Sequence, residues 1–98
     1  MKDIPGLQAG RSAQFYFANL CADVMRCIVA AEAGDGERYR SSLERARITL
    51  AGLHDTRRFE AYEEGLLLLR ALEHAREGNT LGVFRRQVDQ LVMSASRL

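Results

Sequence analysis

Two similar joints cut this chain into segments: Ala31-Glu32-Ala33-Gly34-Asp35 followed by Tyr39, and Ala75-Arg76-Glu77-Gly78-Asn79 followed by Phe84. In each, glycine is the residue that takes a left-handed conformation after a helix at little cost. The Asp or Asn behind it can accept the first free N–H groups of a new helix. Overlaid at an offset of 45, the segments after the joints match in kind at Tyr39/Phe84, Arg40/Arg85, Leu43/Val88, Glu44/Asp89 and Ile48/Met93. The pattern predicts two helical hairpins, which leaves little room for any class but all-α.

At 98 residues the chain is long enough for one core without metals or disulfides as staples. Bases and acids nearly cancel, 14 against 13, and the 13 arginines are spread over every segment among glutamates. Phosphate tracking needs one basic stripe, so nucleic acid is not an expected partner. The longest apolar run, Leu66 to Leu69, is far short of the roughly 20 residues of a membrane span. No secretion signal is visible, which leads to the expectation of a cytoplasmic protein. Cys21 and Cys27, six apart on one predicted helix, fall about 9 Å apart along its axis and should remain thiols.

Residues 1–11 contain the only proline and no sustained period, so they read as a tail or strap from which Ile4 and Leu7 could dock. Ser12 is a plausible cap for a helix carrying Phe17, Leu20, Val24, Cys27 and Ala31 inward, with Asn19, Asp23 and Arg26 on its wet side. A second helix after Asp35 steps through Tyr39, Leu43, Ala46, Leu50 and Leu53. Its outer side carries Glu37, Arg40, Glu44 and Arg47 as an alternating ladder. Residues 52–56 read as the loop between hairpins, with Asp55 or Thr56 capping a third helix from about Arg57. That helix has two adjoining stripes, Ala61/Gly65/Leu68/Leu72/Ala75 and Phe59/Tyr62/Leu66/Leu69. Gly65 at its middle suggests close approach of another helix. The last helix should bury Leu81, Phe84, Val88, Leu91 and Ala95. The expected product is an antiparallel four-helix bundle over residues 12–98.

Chemistry-bearing patterns are sparse. His54 and His74 lack the Glu-x-x-His repeat of di-iron bundles, and no third ligand is suggested, so neither a metal nor a cofactor is expected. Arg47 and His54, with six residues between them, fit the loose Arg-x(4–6)-His pattern of small helical ribonuclease toxins. A break at Gly52 would place them on different segments, which makes an RNA-cleaving toxin the alternative rather than the first expectation.

What remains is apolar surface. Phe15, Tyr16, Met25, Ile48, Leu67, Val92 and Met93 lie off the main stripes, and Leu67 falls within the charged side of its helix. Some of these widen the core; clustered ones would form a groove for an amphipathic partner. Ile4, Leu7, Ile48, Leu67, Val92 and Met93 are therefore the candidate partner-binding residues of a non-enzymatic interaction module. A structural homodimer that buries the same residues is a further alternative.

From Phe15 to Leu98 the order of parts resembles the FliS-type flagellar export chaperones. The features that carry the resemblance are an apolar first helix ending in Glu32-Ala33-Gly34-Asp35, a charged helix ending in Leu50-Ala51-Gly52-Leu53, the Leu-rich third helix, and a final helix after Gly78-Asn79. The resemblance implies a cytoplasmic bundle that binds the disordered C-terminal region of a flagellin-like client in grooves beside the first, second and fourth helices. It also implies an N-terminal segment around Ile4 and Leu7 that covers apolar surface until displaced.

Overall fold

Capping sets the ends of the first two helices. In the computed structural model, which describes residues 11–96 and side chains up to residue 94, Ser12 Oγ accepts from the Phe15 N–H at 3.1 Å and α1 runs Ala13–Glu32. Asp35 likewise accepts from the Arg38 N–H at 3.1 Å and opens α2, Gly36–Asp55. α3 spans Phe59–Glu77 and α4 spans Leu81–Ser96, with no strand among the described residues. Ile4 and Leu7 lie outside the described residues.

The joints repeat, in a register that the glycines do not reveal. At the first, Gly34 holds φ +71°, and the Asp35 N–H donates back to Ala30 O at 2.9 Å. At the second, the left-handed residue is Asn79 at φ +61°, Gly78 sits at φ −88°, and the Thr80 N–H donates to Ala75 O at 2.8 Å. Expecting glycine in that role twice was therefore wrong. Asn is the side chain that best tolerates this region. Its use keeps the offset of 45 intact, with Gly34 over Asn79 and Asp35 over Thr80.

The middle connection also differs from expectation. α2 does not stop at Gly52 but continues to Asp55, so His54 is helical rather than in a loop. Gly52 and Leu53 are both buried, and this packing outweighs the roughly 1 kcal/mol that glycine costs a helix interior. The turn is confined to residues 56–58: the Thr56 hydroxyl donates to Leu53 O at 2.6 Å, Arg57 takes φ +64°, and α3 starts at Phe59 without a side-chain cap.

α1 and α3 each touch all three other helices, α1 most extensively, whereas the α2 and α4 backbones do not approach each other among the described residues. Leu20, Val24, Cys27 and Ile28 of α1 pack with Tyr39, Leu53, Leu72, Phe84 and Val88 in one core. Gly65 lets the α3 backbone approach closely: a Cβ there would lie 2.7 Å from Leu50 Cδ1 and 2.9 Å from Leu20 Cδ2. Arg85 Nη1 meets Glu32 Oε1 at 3.1 Å, pairing two charges that each sit at the unfavourable end of its own helix dipole. The radius of gyration, 13.2 Å, is close to the roughly 13 Å of a compact domain of this size.

Three side chains depart from the stripes read in the sequence. Leu91 is 38% exposed, because α4 has only α1 and α3 to pack on and its stripe runs out of cover after Val88. Phe59 is exposed, its ring 6.0 Å from that of His54. Asp23, placed on the wet side of α1, is buried at 4% exposure. The outer ladder of α2 is exposed but forms no ion pair within 4 Å among the described residues.

Candidate functional site

The buried Asp23 marks the place where α1 and α2 hold each other and where a groove opens beside them. Its Oδ2 accepts from Thr49 Oγ1 at 2.8 Å, and its Oδ1 pairs with Arg26 Nη1 at 2.9 Å. Thr49 Oγ1 is also 3.0 Å from Arg45 O, but its one proton favours the charged acceptor. Burial is tolerable because both carboxylate oxygens have a donor.

Helical spacing assembles the groove. Met25, Arg26 and Val29 project from one face of α1, and Arg38, Ser41, Ser42 and Arg45 from one face of α2, around an open space of about 560 Å³. Met25 is half-buried and Val29 is exposed, which gives an apolar floor. Arg26 is committed to Asp23. The guanidinium groups of Arg38 and Arg45 have no ion-pair or hydrogen-bond partner among the described residues. Seven residues apart on one helix, they stand about 10 Å from each other along the rim. Ser41 and Ser42 add donors, yet the groove holds no histidine and no free carboxylate to activate them. The arrangement is suited to recognition of anionic side chains around an apolar one.

The residues singled out from sequence fall elsewhere. Ile48 is half-buried on α2, Leu67 is 60% exposed on α3, and Val92 and Met93 are exposed on α4 at 38% and 58%. Val92 and Met93 are chain neighbours, but Ile48 sits on a helix whose backbone α4 does not approach among the described residues. The groove residues left a signal that sequence reading missed. Arg40 and Arg47 have a glutamate three or four positions away, whereas Arg45 has none and Arg38 has only Asp35, whose carboxylate caps the helix.

His54 forms a second feature. Its ring stands edge-on to Tyr62 with centroids 4.8 Å apart, and its Nδ1 lies 3.9 Å from Asp55 Oδ1. Because α2 is unbroken, Arg47 and His54 share one face two turns apart, not the separate segments expected from a break at Gly52. Among the described residues no group of three His, Cys, Asp or Glu could hold a metal ion, and no helix is long and apolar enough to cross a membrane. The chain matches no family model, no curated protein and no solved structure.

Proposed function

We propose that this chain is a non-enzymatic protein-interaction module that holds an amphipathic, acidic segment of a client protein in the groove between α1 and α2. The observation that carries the proposal is the pair of guanidinium groups, Arg38 and Arg45, that have no partner among the described residues and stand over the Met25–Val29 floor. A client helix with an apolar residue between glutamates would bury the floor and neutralise the rim. The helix order resembling FliS-type chaperones supports a cytoplasmic export chaperone or adaptor within this class, and makes a flagellin-like C-terminal segment the first natural client to try. Fluorescence anisotropy with a labelled helical peptide bearing Glu around Leu should show saturable binding. The same peptide with Lys in place of Glu should bind at least about tenfold more weakly, a loss of about 1.4 kcal/mol. Equal binding of the two peptides would rule the proposal out.

One observation favours a second reading, an RNA-cleaving toxin. The unbroken α2 puts Arg47, an anion-binding group, and His54, a proton-transferring one, on the same face. Incubation with a single-stranded RNA tests it: cleavage lost in H54A supports this reading, and intact RNA with the wild-type protein removes it.

A further inference from the structure

The outer face of α3 has the opposite character to the groove. Glu60, Glu63 and Glu64 lie at i, i+3 and i+4, and Leu67 follows four residues after Glu63 and three after Glu64. The three glutamates are exposed and form no ion pair within 4 Å among the described residues, although Arg57 and Arg58 lie nearby. Arg70, on the turn after Leu67, ends the acidic stretch. Like charges at these spacings destabilise a helix. Leu67, the most exposed of the large apolar side chains among the described residues, adds apolar surface in water.

Each surface lacks what the other offers. Among the described residues, the groove has unpaired cations on its rim and an apolar floor, and the α3 face has unpaired carboxylates on the turn before a protruding leucine. We infer that the resting occupant of the α1–α2 groove is a second copy of this chain, docked through Glu60, Glu63, Glu64 and Leu67 of its α3. This inference rests on the interaction-module reading and deepens it, since a client with an acidic helix would then bind by displacing the second copy. The two surfaces are different patches, so the contact is heterologous and its stoichiometry is not limited to two.

Sedimentation equilibrium of the full chain tests the inference. At about 50 mM salt the mass should exceed that of a monomer, and at about 500 mM it should fall toward it, because the rim charges are screened. R38E/R45E and E60R/E64R should each be monomeric, and mixing the two should restore association, since each then presents a surface matched to the other. L67Q, which removes the apolar contact without changing the charge, should weaken association without altering the circular dichroism spectrum. A monomeric wild-type protein at low salt would overturn the inference, as would a mixture of the two charge-reversed variants that stays monomeric. The acidic peptide separates the two levels of argument. Bound by a monomeric protein, it keeps the groove and removes self-occupancy; bound by the assembly, it should dissociate it.

Discussion

Asp23 and Thr49 meet across the α1–α2 interface through a 2.8 Å hydrogen bond, and the same carboxylate fixes Arg26 at 2.9 Å on the groove rim. T49V keeps the volume but removes the donor, leaving one buried carboxylate oxygen unsatisfied. Urea denaturation should show a loss of about 1–3 kcal/mol. T49S, which keeps the hydroxyl, should lose much less of this stability.

At Gly65 α3 packs tightly against both of the first two helices. An added Cβ would intrude on Leu50 and Leu20 at 2.7 and 2.9 Å. G65A gains about 1 kcal/mol of helix propensity but incurs about 1–3 kcal/mol of overpacking, so it should come out about 1 kcal/mol less stable. G65V should be worse. The control is G82A, where a Cβ meets nothing within 4 Å and stability should hold or rise. Equal effects at both glycines in thermal unfolding would contradict the packing described.

Alkaline pH should weaken the fold through its thiols. Burial pushes Cys21 up to about 11 from 9.0, and burial with the nearby Asp23 charge does the same for Cys27. The folded state therefore keeps protons that the unfolded chain loses first. This contribution is full below pH 9 and is lost as pH rises from 9.0 through about 11. Tyr39 acts in the same direction, because burial raises its phenol despite the opposing Arg76 charge. Denaturation midpoints measured across that range should fall in the wild type and fall less steeply in C21A/C27A.

The helices were legible because their signals are local. Ser12 and Asp35 cap as their positions suggest, and Tyr39 and Phe84 enter the core as the repeat suggests. At two glycines the local signal misleads. Gly52 continues a helix because Leu53 beside it is fully buried, and Gly78 yields the left-handed position to Asn79. The groove was hidden for a different reason. Asp23 reads as solvated until Thr49, 26 residues away, is seen to reach it. Arg38 and Arg45 look like ordinary surface charges until their lack of partners becomes visible in three dimensions.

The proposed working surface is the α1–α2 groove, not the Arg47–His54 face. Backbone amide NMR shifts recorded while the acidic peptide and, separately, a short RNA are titrated test it most directly. Peptide-induced shifts should appear at Met25, Arg26, Val29, Arg38, Ser41, Ser42 and Arg45 and be lost in R38E/R45E, with no comparable response to RNA. An RNA response centred on Arg47, His54 and Tyr62, with the groove amides unmoved by peptide, would contradict it.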